Sequence, residues 1–462
     1  MKFDIAIIGS GPGGYVAAIR AAQLGKSVAI IEKEELGGVC LNWGCIPTKA
    51  LLKSAQVFDY INHAADYGIT VSNPKVDFDG MVKRSRGIAD GMSKGIAYLM
   101  KKNAIEVVKG MAKLAGKGKI SISDSEGKTF ILEAEHIILS TGSRSRELPN
   151  IKMDGTHIIG YREAMVLPKQ PKEMTIIGSG AIGMEFAYFY ASIGTKVTMV
   201  EFMPRILPIE DEDVSKTMAS IYKKRGINVM TDSSVEKVVV QKDRCFVTVK
   251  TKTGEISLES DIVLSAAGVQ TNLENLGLEE MGIKIDKGKV IVDDFYRTSA
   301  PGIYAIGDIV PGPALAHVAS AEGIICVEAI SGHHPSPLNY GNIPGCTYTH
   351  PEVASVGYTE AQAKEKGYDI MVGKFPFSAS GKASAGGHKE GFVKVIFDKK
   401  YGEWLGCHMV GEGVTDIIIE AVVARNLETT GLEILKCIHP HPTMSEAVME
   451  AVAQAYGECI HL

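Results

Sequence analysis

The sequence predicts an α/β fold that contains two Rossmann-like dinucleotide-binding domains. Residues 9–32 and 178–201 match each other over 24 positions without a gap. Each segment follows a short apolar run, at 5–8 and 175–177, of the kind that forms a buried parallel strand. Each continues through a helical stretch into a second apolar strand that ends in glutamate. The chain is therefore expected to contain two β-α-β units of the same type.

Both segments open on the pattern G-x-G-x-x-G, and each glycine has its own reason to be there. The first makes a tight turn, the second lets the backbone approach a pyrophosphate, and the third lets the helix pack closely on the strand. These glycines are Gly9, Gly11 and Gly14 in the first segment, and Gly178, Gly180 and Gly183 in the second. The helix N-terminus that follows favours an anion. Two bound dinucleotides are predicted, because glycine-rich turns without a ligand would not explain strand, motif and acid in register twice.

The two closing glutamates are candidate ribose ligands. Glu32 and Glu201 each stand 18 residues after the third glycine of their segment, where a carboxylate accepts hydrogen bonds from an adenosine ribose. A 2′-phosphate beside Glu201 would be repelled by roughly 4 kcal/mol per charge pair, as an upper estimate. The second site is therefore expected to bind NAD rather than NADP.

Two further segments suit a flavin-binding domain. Residues 137–143 read I-I-L-S-T-G-S, and residues 302–308 read G-I-Y-A-I-G-D, each an apolar strand running into a turn. The sequence A-L-A-H and an apolar helix follow at 314–317. Asp308 is placed to bind a ribityl hydroxyl of FAD at the end of its strand. The alternative for Asp308 is a plain helix N-cap.

The length and the net charge of the chain argue against several classes of function. The chain has 462 residues, too many for one hydrophobic core, and a net charge of −5 with both signs interspersed. This balance argues against binding nucleic acid or a membrane surface. No apolar run approaches the length of a membrane span, and the start of the chain lacks a signal-peptide pattern. We expect a reducing cytoplasm, or a matrix-type compartment if an import peptide was removed.

The segment 37–49, G-G-V-C-L-N-W-G-C-I-P-T-K, carries two cysteines five positions apart. On a regular helix Cys40 and Cys45 would be roughly 8 to 9 Å apart, whereas a disulfide needs less than about 7 Å. Glycines before and between them permit the distortion, and Pro47 is compatible with a helix that restarts there. The segment therefore favours a redox-active disulfide. A structural disulfide and two free thiols remain as alternatives.

The other cysteines stand singly, as small buried hydrophobes do, and no second C-x-x-C or histidine pair completes a zinc site, so no metal is expected. They are Cys245, Cys326, Cys346, Cys407, Cys437 and Cys459.

A candidate base lies near the end of the chain, in H-P-H-P-T-M-S-E at 439–446. Prolines on both sides keep His441 out of regular structure, just before an amphipathic helix. Glu446 would orient the imidazole and stabilise its cation. The same glutamate also completes a capping box with Thr443, so its role is open between orienting the histidine and capping the helix.

Together these motifs resemble the flavin-dependent pyridine nucleotide-disulfide oxidoreductases over essentially the whole chain, and among them the members that oxidise dihydrolipoamide. The resemblance implies a homodimer with an α+β C-terminal dimerisation domain. It implies four domains: an FAD domain at 1–145, an NAD domain at 146–268, a central domain completing the FAD site at 269–339, and an interface domain at 340–462.

The resemblance also implies roles for single residues. Cys40 matches the thiol that meets substrate, Cys45 the thiol beside the flavin, and His441 a base that reaches the disulfide of the other subunit, with Glu446 as its partner. Lys49 matches a lysine near the flavin N5 that pairs with Glu185. Further expected FAD contacts are Glu32, Ala112, Thr141, Gly142, Ser143, Asp308, Ala314, Leu315, Ala316 and His317, and further expected NAD contacts are Val235 and Gly268.

The implied reaction is oxidation of protein-bound dihydrolipoamide to lipoamide, with hydride transfer to NAD⁺. The partner would be a lipoyl-bearing acyltransferase or carrier protein of a 2-oxoacid dehydrogenase or glycine-cleavage complex. Alternatives are a glutathione-reductase-like or mercuric-reductase-like enzyme and a non-catalytic redox sensor. The chain departs from the family at 268–272, G-V-Q-T-N, where many members have G-R-x-P-N. It also ends with one cysteine, Cys459, where mercuric reductases carry a pair.

Overall fold

The computed structural model describes residues 2–462, and its chain divides into two compact units. Unit 1 consists of Met1–Leu51, Asp77–Arg146 and Gly268–Leu338, and unit 2 of Leu52–Val76, Glu147–Ala267 and Asn339–Leu462. Both units are discontinuous in sequence. The predicted four-domain division is finer than this and stays a prediction.

The chain contains 24 strands and 13 α-helices within residues 2–462. The strands are, in chain order, β1 (Lys2–Ile8), β2 (Val28–Glu32), β3 (Glu106–Lys109), β4 (Met111–Leu114), β5 (Lys119–Ser123), β6 (Thr129–Leu139), β7 (Ser143–Ser145), β8 (Ile158–Ile159), β9 (Glu173–Ile177), β10 (Lys196–Val200), β11 (Asn228–Met230), β12 (Ser234–Gln241), β13 (Arg244–Thr251), β14 (Gly254–Ser260), β15 (Ile262–Ser265), β16 (Val269–Thr271), β17 (Ile285–Asp286), β18 (Lys289–Val290), β19 (Ile303–Ala305), β20 (Gly345–Thr347), β21 (Glu352–Gly357), β22 (Ile370–Pro376), β23 (Phe392–Asp398) and β24 (Trp404–Gly411). The α-helices are α1 (Pro12–Gln23), α2 (Gly38–Trp43), α3 (Cys45–Asn62), α4 (Phe78–Lys102), α5 (Tyr161–Ala164), α6 (Ala181–Ser192), α7 (Glu212–Lys224), α8 (Ala316–Ile330), α9 (Glu360–Glu365), α10 (Gly381–Gly386), α11 (Val414–Asn426), α12 (Gly431–Lys436) and α13 (Glu446–Ala455).

The main sheet of unit 1 is the first Rossmann-like unit. Its strand order is β3-β2-β1-β6-β5-β4, and β19 also pairs with β6. Strand β1 runs parallel to both β2 and β6, with Ile7 opposite Ile30 on one side and Ile138 on the other. All residues of β2 are buried, as expected of a parallel strand covered on both faces. Helices α1 and α8 pack together so closely that a Cβ at Gly323 would lie 2.7 Å from the carbonyl oxygen of Gly13.

Unit 2 holds the second Rossmann-like sheet and an α+β region. The five-stranded parallel sheet has the order β11-β10-β9-β15-β8, and an antiparallel sheet of β12, β13 and β14 accompanies it. The C-terminal part forms a five-stranded antiparallel sheet, β20-β21-β24-β23-β22. Helices α11 and α13 pack on this sheet around a core that includes Phe397, Trp404 and Val452. The predicted fold class is confirmed in each of its three parts.

Two further expectations are answered by the fold. Among residues 2–462, no helix is both long and apolar enough to cross a membrane. Of the single cysteines, Cys245, Cys326 and Cys407 are buried as predicted, whereas Cys437 is exposed. For Cys437 the expectation was wrong, because it directly follows the short helix α12 at a point where the chain leaves the core. The remaining two, Cys346 and Cys459, are half-buried.

Candidate active site and dinucleotide sites

The first glycine loop connects β1 to α1 and leaves room for a ligand at one position only. Gly9 has a φ of +102°, and a Cβ there would lie 2.2 Å from the carbonyl oxygen of Ser140. A Cβ at Gly14 would lie 1.9 Å from the carbonyl oxygen of Gly9. A Cβ at Gly11, in contrast, would meet nothing within 4 Å. Packing therefore demands the first and third glycines, and the second faces open space at the N-terminus of α1, where a pyrophosphate fits.

The second glycine loop, between β9 and α6, repeats this geometry. Gly178 has a φ of +99°, and its Cβ would lie 2.7 Å from the carbonyl oxygen of Ala266. A Cβ at Gly183 would lie 2.1 Å from the carbonyl oxygen of Gly178, whereas one at Gly180 would meet nothing within 4 Å. Both loops therefore have the shape that a bound dinucleotide needs.

Each closing glutamate is held by the serine between the first two glycines, a pair that sequence reasoning missed. Glu32 Oε2 accepts hydrogen bonds from the backbone N–H of Ser10 at 3.0 Å and from its hydroxyl at 2.6 Å. Glu201 Oε2 accepts the same two bonds from Ser179, at 2.7 and 2.6 Å. Each carboxylate retains acceptor capacity for a ribose hydroxyl. The signal was in the sequence, since both motifs read G-S-G, but only the fold brings residues 22 positions apart together.

The turns that end β6 and β19 meet in unit 1. The hydroxyl of Ser143 donates a hydrogen bond to Asp308 Oδ2. Asp308 lies inside a short 3₁₀ turn, Gly307–Ile309, so the N-cap alternative is not what its side chain does here. The buried Glu322 of α8 accepts a hydrogen bond from the N–H of Gly307 at 2.6 Å. Sequence reasoning missed Glu322, although a glutamate in the middle of a largely apolar helix was a visible signal.

The remaining expected cofactor contacts lie in several elements. Ala112 is buried in β4, residues 314–317 run into the start of α8, and Val235 lies in β12. Gly268 has a φ of +98° and precedes β16. The structure describes each of these positions, and their contacts with cofactors stay predictions.

The departing segment at 268–272 has a structural role of its own. Strand β16 pairs antiparallel with β7. At its end, the side-chain NH₂ of Asn272 donates to the carbonyl oxygen of Thr141 at 3.0 Å, and the Thr141 hydroxyl donates to the carbonyl oxygen of Asn272 at 2.7 Å. The guanidinium of Arg144 donates to Asn272 Oδ1 at 2.8 Å. The segment thus fixes the turn at 141–143, one of the expected FAD contacts.

The two cysteines lie on either side of a break between two helices. Cys40 is the third residue of α2 and Cys45 the first residue of α3, with Gly44 between the helices at φ −142° and ψ −116°. A Cβ at Gly44 would come within 3.0 Å of the carbonyl oxygen of Val39. The glycine therefore permits the distortion that the sequence predicted. The second helix begins two residues before Pro47, which lies in its first turn.

The structure holds both cysteines as half-buried thiols in contact with each other. A hydrogen bond with Cys45, together with burial, raises the pKa of Cys40, whereas the charge of Lys49 lowers it. Lys49 lies four residues after Cys45 and so on the same face of α3. Glu185 is the residue that is expected to pair with Lys49. It is buried in α6 and accepts a hydrogen bond from the N–H of Tyr348 at 3.0 Å. The pairing itself stays a prediction.

The cysteine segment begins against the first glycine loop. The N–H of Gly37 donates to the carbonyl oxygen of Ser10 at 3.1 Å. A Cβ at Gly38 would lie 2.7 Å from the Cα of Gly11, so only glycine allows this approach. The geometry therefore places the start of α2 directly beside the open position of the first dinucleotide loop.

Helix α4 holds the cysteine segment from its other side. The guanidinium of Arg86 lies 4.0 Å from the ring centroid of Trp43 and donates a hydrogen bond to the carbonyl oxygen of Asn42. The hydroxyl of Ser85 donates to the carbonyl oxygen of Pro47 at 2.9 Å. These contacts, which sequence reasoning missed, anchor the chain between the two cysteines and just after the second.

In unit 2, Glu446 contacts His441 as expected, but it does not complete the capping box, because α13 begins at Glu446 with Ser445 as its N-cap and no side-chain capping bond. Its Oε1 lies 2.9 Å from Nδ1 of His441, and its Oε2 accepts a hydrogen bond from the N–H of Thr443 at 2.8 Å. Burial alone would raise the pKa of Glu446, but the bonds from Thr443 and His441 hold it below its ordinary value. The carboxylate is therefore charged at neutral pH beside an imidazole whose side chain is 79% exposed.

Comparisons with known proteins agree with these motifs. The family model described as pyridine nucleotide-disulphide oxidoreductase matches residues 3–323, and the one described as its dimerisation domain matches residues 343–452. Dihydrolipoyl dehydrogenase of Zymomonas mobilis is 48% identical over 461 residues, which cover 99% of each chain. Dihydrolipoyl dehydrogenase of Bacillus subtilis is 42% identical and covers 100% of this chain and 99% of its own.

A solved structure is similar in fold over nearly the whole length. The crystal structure of LpdA from Mycobacterium tuberculosis superposes with a TM-score of 0.92 at 26% sequence identity, covering 98% of this chain and 99% of that one. The family resemblance stated from the motifs is confirmed.

Proposed function

The chain belongs to the pyridine nucleotide-disulphide oxidoreductase family, and we propose that within it the protein acts as a dihydrolipoyl dehydrogenase. The observation that carries this proposal is the contact between Cys40 and Cys45 on a segment that starts against the first dinucleotide loop. A thiol pair beside a dinucleotide site is suited to passing two electrons between a dithiol substrate and a bound cofactor.

The two cysteines carry out thiol–disulfide exchange. With the pair oxidised, a substrate thiolate attacks Cys40 Sγ, the Cys40–Cys45 bond breaks, and Cys45 leaves as a thiolate. The second substrate thiolate then attacks the mixed disulfide, so that cyclic lipoamide forms and Cys40 leaves with both cysteines reduced. The substrate loses two electrons and the pair gains them. The charge of Lys49 offsets part of the rise that the hydrogen bond with Cys45 and burial cause in the pKa of Cys40.

His441 is proposed to take the proton from the substrate thiol. Its Nδ1 faces the charged Glu446, which orients the ring and stabilises the imidazolium, and its Nε2 is left to face substrate. Since the side chain is largely exposed on its own chain, it is available to a second subunit. We therefore propose a homodimer in which His441 of one subunit serves the cysteine pair of the other.

The cofactors are FAD and NAD. We assign FAD to the first loop with domains 1–145 and 269–339, through Glu32, the turn at 141–143 and Asp308. We assign NAD to the second loop in domain 146–268, with Glu201 at the ribose. When bound, FAD would supply the two-electron redox chemistry that links the cysteine pair to NAD⁺.

The substrate would arrive on a lipoyl-bearing partner protein, such as the acyltransferase of a 2-oxoacid dehydrogenase complex or the carrier protein of glycine cleavage. We place the reaction in a reducing compartment, cytoplasm or a matrix, because the exchange cycles through thiols. A glutathione-reductase-like function would use NADPH, against which the buried Glu201 argues.

Hybrid dimers test the shared site. We expect Cys40→Ser and His441→Gln homodimers to lose activity by about 10³-fold or more. In a hybrid of one Cys40→Ser and one His441→Gln subunit, an intact cysteine pair faces an intact histidine across the dimer. The hybrid should therefore recover close to half of the wild-type rate of NADH formation.

The same hybrid would also reveal a site formed within a single chain. If His441 served the cysteine pair of its own chain, each subunit of the hybrid would lack one essential group, and the hybrid would be as inactive as its parents. A hybrid of two Cys40→Ser subunits carrying different purification tags is the control for the mixing procedure.

A further inference from the structure

Two histidines and one glutamate form a cluster in unit 2 that the proposed reaction does not use. His350 lies between β20 and β21, His388 follows α10, and Glu412 follows β24. Strands β21 and β24 are antiparallel neighbours with Glu352 opposite Gly411, so His350 and Glu412 emerge at the same edge of the sheet. One side-chain ligand atom from each of the three residues lies within 4.8 Å of the other two.

The distances suit a small cation. Nδ1 of His350 lies 3.1 Å from Glu412 Oε2, and the two imidazole rings have their centroids 5.3 Å apart at an interplanar angle of 86°. Ligands of a tetrahedral zinc ion, each about 2.0 to 2.1 Å from the metal, are roughly 3.3 Å from one another. One pair is therefore already near the required separation, and a ligand atom of His388 lies within 4.8 Å of both.

A buried acceptor points into the cluster. Glu412 Oε2 is shielded from solvent and lies 3.1 Å from Nδ1 of His350. A carboxylate oxygen withdrawn from water is stabilised by a positive charge beside it, which a bound cation would supply.

We propose that His350, His388 and Glu412 bind one divalent transition-metal ion per chain, with Zn²⁺ as the best match. Two imidazoles and one carboxylate are a ligand set that zinc accepts, with water in the fourth position, whereas Mg²⁺ and Ca²⁺ require mostly oxygen ligands. The ion would join the loop before β21, the loop after α10 and the end of β24.

Neighbouring groups on α3 would orient the ligands. The hydroxyl of Tyr60 lies 3.4 Å from Nε2 of His388, and Nε2 of Gln56 lies 3.3 Å from Nδ1 of His350. Gln56 would give up this long contact to the metal, while keeping its 3.1 Å hydrogen bond to Tyr60. Such outer partners are typical of metal-binding histidines.

The test is a zinc titration of the flavin-containing protein in competition with a chromophoric chelator. All proteins carry Cys40→Ser and Cys45→Ser, so that the exchange thiols do not bind the metal. We expect one Zn²⁺ per chain that His388→Ala weakens by about 100-fold or more, and that Glu412→Gln weakens less. Crystals grown with Zn²⁺ should show one anomalous peak among the three side chains.

The matched control is His63→Ala, which removes an exposed histidine of the same unit that lies outside the cluster, and it should leave the affinity unchanged. Flavin content and thermal unfolding confirm that each variant is folded. The proposal is overturned if the protein with the cluster intact binds no Zn²⁺, or binds it as tightly in His388→Ala as without that substitution.

Discussion

The two dinucleotide loops are nearly the same structure, and they differ in what the chain does next. In unit 1 the chain returns after Glu32, and Gly37 donates its N–H to the carbonyl oxygen of Ser10 at 3.1 Å. In unit 2 the chain returns after Glu201, and Leu207 donates its N–H to the carbonyl oxygen of Ser179 at 3.2 Å. Both returning segments thus attach to their loop through the same backbone carbonyl.

Beyond that bond the two segments diverge. The first begins the cysteine helix α2 at once, with Gly38 against Gly11. The second runs on to Asp211, which caps α7 by accepting a hydrogen bond from the N–H of Asp213. With the proposed function, both loops would bind a dinucleotide, and the returning segment would decide whether the site also performs thiol chemistry.

The largest effect is expected from removing a cysteine of the segment that follows the first loop. Cys45→Ser should lower dihydrolipoamide-dependent NADH formation by about 10³-fold or more, because the exchange loses its leaving thiolate. Flavin content should stay unchanged. Cys437→Ser, which alters an exposed cysteine, is the matched control and should retain full activity. A Cys45→Ser variant with near-normal turnover would mean that the returning segment does not carry the chemistry.

The next effect tests whether packing is equally tight in both loops. Gly14→Ala and Gly183→Ala place a Cβ 1.9 and 2.1 Å from a backbone carbonyl oxygen, which cannot move away as a side chain would. Each should lower the free energy of unfolding by about 3 kcal/mol or more, measured with urea. Gly11→Ala and Gly180→Ala, facing open space, should fold normally. Equal stability of all four variants would contradict the packing argument.

Substitution of the two serines tests which cofactor binds at which loop. Ser10→Ala and Ser179→Ala each remove one hydroxyl hydrogen bond to a buried carboxylate, a loss of about 1.5 to 3 kcal/mol. We expect Ser10→Ala to purify with less FAD and an unchanged KM for NAD⁺. Ser179→Ala should keep its FAD and show a KM for NAD⁺ raised about tenfold or more. The reverse pattern would exchange the cofactor assignments.

The smallest effect concerns the choice of nicotinamide cofactor. Glu201→Gln removes the negative charge while keeping an oxygen that can accept from Ser179, and it should raise kcat/KM for NADP⁺ relative to NAD⁺ by about tenfold. Glu32→Gln, the same change in the other loop, should leave that ratio unaltered. An unchanged ratio in Glu201→Gln would mean that this carboxylate does not select the cofactor.

The sequence predicted features that depend on local or repeated patterns, and it missed features that depend on residues far apart in the chain. Glycine spacing, the break at Gly44 and the double-loop architecture are local or repeated patterns, so the sequence predicted them. Glu446 remained ambiguous because spacing alone does not show that its two oxygens bind different partners. The pairing of Ser10 with Glu32 needed the parallel strands to bring them together.

The metal cluster shows the same limit most clearly. The sequence favoured no metal site, because His350, His388 and Glu412 are separated by 38 and 24 positions and form no ligand spacing that a motif would reveal. Only the antiparallel sheet and the loop after α10 bring them within reach of one another. Local chemistry is readable from sequence, whereas a site assembled from three distant loops requires the fold.

The central claim is that the cysteine pair passes electrons from dihydrolipoamide to NAD⁺. The most direct measurement is the initial rate of absorbance increase at 340 nm when the purified, flavin-containing protein receives dihydrolipoamide with NAD⁺ or, separately, with NADP⁺. The account predicts rapid NADH formation and a much slower reaction with NADP⁺. If dihydrolipoamide gave no NADH while NADH still bleached the flavin, the two dinucleotide sites would stand and the substrate would be a different disulfide or a metal.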